Sequence, residues 1–240
     1  MSKVIAVFGA GTGLGLSVAR RFAREGFRVA LVARRKERLD GLVEQLTAEG
    51  VEAAGFTADL SRPAEMPALV AAVRERFGRI DVIEYGPIGN DQTFTPAVEV
   101  DATVLEKGIP LFLLTPVEVV RAVLPEWTER GDGAFLLTTG ASAAHPMPRL
   151  SGVGPVMAAA RNYLYSLNAE LADAGIYAGS LSIAAMISRS EMADLAEQVT
   201  DPELAAAFPV VDPDDLAQLY WEMYTERDRV ELVHPGVPAL

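Results

Sequence analysis

The feature that most constrains this chain is a run of glycines set between an apolar strand and a helix. Lys3-Val4-Ile5-Ala6-Val7-Phe8 leads into Gly9-Ala10-Gly11-Thr12-Gly13-Leu14-Gly15, and an amphipathic stretch follows to Gly26. Glycines allow the tight turn and let backbone N–H groups approach an anion, while the helix N-terminus adds favourable partial charge. In that order, strand then turn then helix, the segment reads as the start of a βαβ unit that holds a pyrophosphate. Further β-branched runs at 27–33, 51–58, 79–85, 133–139, 176–183 and 229–233 alternate with helical stretches. The alternation predicts an α/β fold: a Rossmann-type doubly wound parallel sheet of about seven strands with helices on both faces. Residues 1–240 are expected to form one nucleotide-binding domain, since α/β folds of this size share one core. Gly26, Gly50, Gly78 and Gly131 read as helix ends. From Thr93 to Pro116, the residues Pro96, Gly108, Pro110 and Pro116 interrupt the helical pattern, which suggests a bent or divided helix.

Charge and residue usage narrow the function. A formal net charge of -12 with no basic run argues against nucleic acid and anionic membrane surfaces as partners. The absence of cysteine removes disulfide and thiolate chemistry, and the two histidines, His145 and His234, lie far apart, so no metal site is expected. No secretory leader is evident at Met1–Lys3, and the uncharged stretches at 133–148 and 174–188 are short and broken by Gly or Pro, unlike a membrane span. A soluble, cytoplasmic protein acting on a small molecule is the expectation.

The spacing of Gly9, Gly13 and Gly15, G-x-x-x-G-x-G, resembles that of the short-chain dehydrogenase/reductase family. The resemblance implies a nicotinamide dinucleotide along Gly9, Gly11, Thr12, Gly13, Leu14 and Gly15. Ala33 stands where NAD-preferring members carry an acidic residue, and Arg34 and Arg35 follow it. An acidic group repels a 2′-phosphate and an arginine clamps one, so NADP(H) is the expected cofactor. Asp59-Leu60 resembles the family's adenine-contacting pair, although Asp59 equally suits a cap before the helix that starts near Pro63. Tyr85 and Gly86 are candidates to border the cofactor, in a segment, Glu84-Tyr85-Gly86-Pro87, that replaces the family's Asn-Asn-Ala-Gly.

Downstream the resemblance weakens. The family reduces carbonyls with a Ser, and with a Tyr and Lys four residues apart on one helix face. Here no tyrosine precedes a lysine by four. Counting back from Asn168-Ala169-Glu170-Leu171, which resembles the end of that helix, places Val153 and Met157 at the Tyr and Lys positions and Gly140 at the Ser position. Phe112 falls where a relay asparagine is usual, and Ala184-Ala185 where Pro-Gly is usual. Ser142 and His145, on the loop after the fifth strand, are the candidate substitute proton donors.

Three readings follow. The first is an atypical oxidoreductase passing hydride to a small, apolar carbonyl, imine or enone that needs little acid help. The second is a non-catalytic dinucleotide-binding protein that acts as a sensor or interaction module, and the third a redox-neutral isomerase or cyclase. A helix from Pro155 to Ala174 that is apolar on several sides, together with the resemblance, implies a homodimer or homotetramer. The substrate-covering segment is expected at 188–209, with apolar Met192, Leu195 and Phe208, and a helix with an acidic first turn is expected to start at Asp212-Pro213.

Overall fold

A computed structural model describes residues 2–88, 95–191 and 209–236; Met192, Leu195 and Phe208 lie outside them. Seven strands form one parallel sheet in the order β3-β2-β1-β4-β5-β6-β9: β1 Val4–Phe8, β2 Arg28–Ala33, β3 Ala53–Thr57, β4 Val82–Tyr85, β5 Gly133–Gly140, β6 Ile176–Ile183 and β9 Glu231–His234. This is the expected doubly wound sheet. Every residue of β1, β4 and β6 is buried, as strands covered on both faces must be. A second, two-stranded parallel sheet pairs β7 Met186–Ile187 with β8 Val210–Val211, which no run in the sequence suggested.

The helices divide between the two faces. Helices α1 Leu14–Ala23 and α2 Lys36–Ala48, with α7 Pro213–Glu226, cover one side, contributing Leu16, Phe22, Leu42, Leu46 and Tyr220 to its core. Helices α3 Met66–Phe77, α5 Thr115–Arg130 and α6 Gly154–Leu171 cover the other with Met66, Val73, Val119, Trp127 and Leu164. Helices α1 and α7 meet through an aromatic cluster in which Phe22 lies 5.2 Å from Trp221 and 5.5 Å from Tyr224, centroid to centroid, with Phe27 5.3 Å from Phe22. Asp212 caps α7 by accepting from the Asp214 N–H at 2.8 Å, with Asp214 and Asp215 in the first turn, as the sequence led us to expect.

The interrupted stretch before β5 is one helix with a defect. Helix α4 Ala102–Ile109, capped by Asp101, passes through a π-helical turn at Pro110–Leu114 into α5. Pro110 lacks an N–H and crowds the turn before it, and a π turn accommodates the mismatch. By length and composition alone the continuous helix Ala102–Arg130, 29 residues that include an 18-residue stretch of mean hydropathy 1.5, is long and apolar enough to cross a membrane. In this fold Val119, Val120, Val123 and Trp127 seat its second half on the sheet.

Candidate active site

The cleft opens where β1 and β4 part, at the C-terminal ends of the strands, the switch point at which open α/β sheets take ligands. The Gly9 and Ala10 N–H groups both donate to the Val32 carbonyl at 2.9 Å, tying the turn to β2. Gly9 has φ +93°, and a Cβ there would lie 2.5 Å from Pro87 Cα, so only glycine fits. Helix α1 then starts at Leu14 with no side chain capping it. Gly11 faces open space, with nothing within 4 Å of where a Cβ would sit. Uncapped N–H groups above an open glycine cradle fit a diphosphate and leave it to the ligand to satisfy them.

Beyond β2, Ala33, Arg34, Arg35 and Arg38 line the cleft. Arg35 and Arg38 are both ion-paired with Glu191, which the sequence reading did not single out. Burial pushes the Glu191 carboxyl up, but the hydrogen bond from Arg35 and the charges of Arg38 and Arg35 outweigh it and hold the group below its ordinary range. Arg34 forms no ion pair among the described residues, and its field reaches Asp59. Asp59 and Leu60 also line the cleft. Asp59 Oδ1 accepts from Ser61 Oγ at 2.7 Å and Ser61 N at 3.0 Å, and these bonds hold the carboxyl below its usual range. These bonds close a local turn and do not make Asp59 a helix cap: Arg62 stands at the cap position before Pro63–Glu65 and no side chain caps it.

Of the pair at the end of β4, Gly86 lies on the cleft and Tyr85 does not. Tyr85 is 1% exposed, with its ring beside Phe8 and Phe135 and its hydroxyl donating to the Leu111 carbonyl at 2.5 Å. Strand alternation explains this: Tyr85 points into the α3–α5 core, and Glu84 to the opposite face. Glu84 is buried, and burial raises its carboxyl to about 8, partly offset by the Thr138 hydroxyl donating at 2.6 Å. Thr138 also meets the Tyr220 hydroxyl at 2.5 Å.

The far end of the cleft is lined by Thr138, Thr139, Gly140, Met157 and Ile183. Met157 sulfur accepts from the Gly140 N–H at 3.4 Å, and Val153 precedes the first turn of α6 without facing the cleft. Ser142 is buried in a 3-10 turn at Ala141–Ala143, against Gly154, and His145 donates its backbone N–H to Ala141 at 2.7 Å. Neither lines the cleft. At this end two hydroxyl residues do, Thr138 and Thr139, and Thr139 heads a buried chain: Thr139 Oγ1 to Ser182 Oγ at 2.8 Å, then Ser182 to Glu231 at 2.8 Å. Arg161 and Tyr165 close it on Glu231 at 2.6 and 2.9 Å. Burial raises the Glu231 carboxyl, but Arg161 and then Ser182 and Tyr165 hold it below its ordinary range. Among the described residues no group of His, Asp or Glu is arranged to hold a metal ion.

Over the glycine turn runs the segment 186–191. Thr12 Oγ1 donates to the Arg189 carbonyl at 3.0 Å, and Ser190 packs so closely on Gly13 that a Cβ there would meet Ser190 Cβ at 3.0 Å. Arg189, at φ +60°, is held by Asp212 and Asp214 at 2.5 and 3.1 Å.

Residues 3–200 match the family model described as short chain dehydrogenase. A Streptomyces coelicolor protein that carries a ketoacyl reductase name is 35% identical over 73% of this chain and 67% of its own length. The pig dehydrogenase/reductase SDR family member 4 is 28% identical over 75% of this chain, which spans 64% of that relative's length. Among solved structures, L-sorbose reductase from Gluconobacter frateurii, complexed with NADPH and L-sorbose, superposes with TM-score 0.87 at 22% identity over 100% of this chain and 98% of its own. A Pseudomonas aeruginosa short chain oxidoreductase containing an atypical catalytic center does so with TM-score 0.85 at 17% identity, covering 99% and 98%.

Proposed function

This chain belongs to the short-chain dehydrogenase family, and on that premise we propose that it is an NADP(H)-binding oxidoreductase that works without the family's Ser/Tyr/Lys set. The observation that carries the reading is the single cleft that joins the uncapped glycine turn, three arginines and Asp59 at one end to Thr138, Thr139 and Met157 at the other. The NADPH and NADP complexes among the similar structures support the choice of cofactor. When bound, the cofactor supplies the hydride.

The chain's own residues divide the remaining work. The turn amides take the diphosphate, Arg34 and Arg35 the 2′-phosphate, and Asp59 and Leu60 the adenine side, with Gly86 beside the ligand. Met157 and Ile183 give the far end an apolar wall, which suits a small, apolar carbonyl, imine or enone. Val153 and Met157, at the Tyr and Lys positions, offer no proton. Thr138 and Thr139 are the hydroxyls at that end, with Ser142 and His145 reaching it only if their loop moves. A non-catalytic dinucleotide binder is the second reading, favoured by the absence of any ionisable side chain at the Thr139–Met157 end among the described residues. We further propose one domain, a homodimer or homotetramer built through α5 and α6, and a cytoplasmic location.

Calorimetry with NADPH and NADH tests the first step. NADPH is expected to bind more tightly, with Arg34→Ala costing about tenfold in NADPH affinity alone; no heat from either at millimolar concentration would end the dinucleotide reading. NADPH consumption against a panel of ketones, imines and enones, with Ser142→Ala, His145→Ala and Thr139→Val beside wild type, tests the second. Binding without consumption would favour the non-catalytic reading.

A further inference from the structure

Two of the three arginines at the adenine end are already engaged by a carboxylate of the chain itself. Glu191 pairs with Arg35 and Arg38 together, and all three line the cleft beside Arg34. The pairing is not incidental to a loose loop end. The five residues before Glu191 are fixed by the β7–β8 sheet and by Ser188 N to Val211 O at 3.0 Å, by the Arg189 pairs to Asp212 and Asp214, and by Ser190 packed on Gly13. Glu191 is thus presented to the arginines by a strap that crosses the glycine turn. Its side chain is 42% exposed, so as a surface ion pair it adds little to the stability of the fold. Its effect falls instead on what else the arginines can bind.

We propose that Glu191 is an internal competitor for the 2′-phosphate of NADP(H), occupying Arg35 and Arg38 until that phosphate takes them, and that it sets how strongly the chain prefers the phosphorylated cofactor. The inference rests on the dinucleotide reading above. Three guanidiniums and one carboxylate meet at this end of the cleft, and a phosphate dianion must either displace the carboxylate or accept its repulsion. Either way the wild-type chain gives up part of the affinity that the arginines offer. An unphosphorylated cofactor makes no demand on Arg35 or Arg38 and loses nothing to Glu191. The competitor therefore narrows the preference for NADP(H) over NAD(H) below what the arginines alone would give.

The test is calorimetric titration of NADPH, NADH, 2′,5′-ADP and 5′-AMP into wild-type protein, Glu191→Gln, Arg35→Ala and the double variant. Glu191→Gln is expected to tighten NADPH and 2′,5′-ADP about fivefold and to leave NADH and 5′-AMP within about twofold. The gain should shrink as salt is raised, and shrink again in the Arg35→Ala background. Unchanged or weaker NADPH binding in Glu191→Gln overturns the proposal. So does an equal gain for both nucleotide classes, which would make the strap a steric cover. If wild type binds NADPH and the variant does not differ, only the role of Glu191 is lost; if no nucleotide binds either protein, the dinucleotide reading falls and takes this one with it.

Discussion

At the glycine turn the groups open to the cleft are backbone: an uncapped helix start, and a turn pinned by two amides on Val32. At the β5–β6 end they are side chains, each tied to a partner remote in sequence, Thr138 to Glu84 and Tyr220, Thr139 through Ser182 to Glu231. A backbone site depends on steric permission, so few substitutions are tolerated and a local motif reports it. A side-chain site depends on which hydroxyls and carboxylates meet across the sheet, so its chemistry can be replaced while the strands stay in register. That contrast fits the function proposed above, in which the family's turn is kept and its proton donor is not.

The sharpest way to break the contrast is Gly9→Val. A β-branched residue at φ +93°, with Pro87 Cα in its path, is expected to cost about 4 kcal/mol in chemical denaturation and to abolish nucleotide binding. If the variant folds and binds normally, the turn is not the rigid element described. Next in size is Glu84→Gln. The folded carboxyl titrates at about 8, well above an unfolded glutamate, so the folded state holds a proton that the unfolded state has released. Wild-type stability therefore falls as pH rises between roughly 4.5 and 8, and the glutamine variant lacks that slope. Urea melts should find the variant more stable than wild type by about 4 kcal/mol at pH 8, with the gap closing toward pH 4.5; parallel curves would show that Glu84 is ionised in the fold.

Smaller effects refine the comparison. Ser182→Ala strands Thr139 and removes one bond from Glu231, which should cost about 1–2 kcal/mol while nucleotide affinity stays within about twofold. A matching loss of NADPH affinity would mean that the two ends are coupled. Asp212→Ala removes the α7 cap and one anchor of Arg189, for about 1 kcal/mol by thermal melting. Because Arg189 lies in the strap, a change in NADPH affinity without a change in NADH would tie the cap to Glu191.

What could be read in advance divides along the same line. The seven strands, the glycine turn and the cap at Asp212 are written in contiguous residues, and the four glycines assigned to helix ends all adopt positive φ. The interruption around Pro110 was legible, its resolution as a π turn was not, because that depends on the register into which the following helix is drawn. Tyr85 looked like a cleft residue since it stands beside Gly86, yet period-two alternation alone would have sent it into the core. Ser142 and His145 sit on the expected loop but do not line the cleft, which only the path of the 3-10 turn decides. Glu191 with Arg35, and Glu231 with Ser182, join residues that no local pattern relates.

The aromatic seam between α1 and α7 bears on how the protein is made. A ribosome delivers Phe22 and Phe27 early and their cover, Trp221 and Tyr224, only after every other helix has emerged. Until then the nascent glycine-turn half displays an oily flank, and a chain released before Tyr224 has left the exit tunnel keeps that flank as a sticky patch. Deleting α7 is therefore expected to bare Phe22 and Phe27 and to make the remainder prone to aggregate.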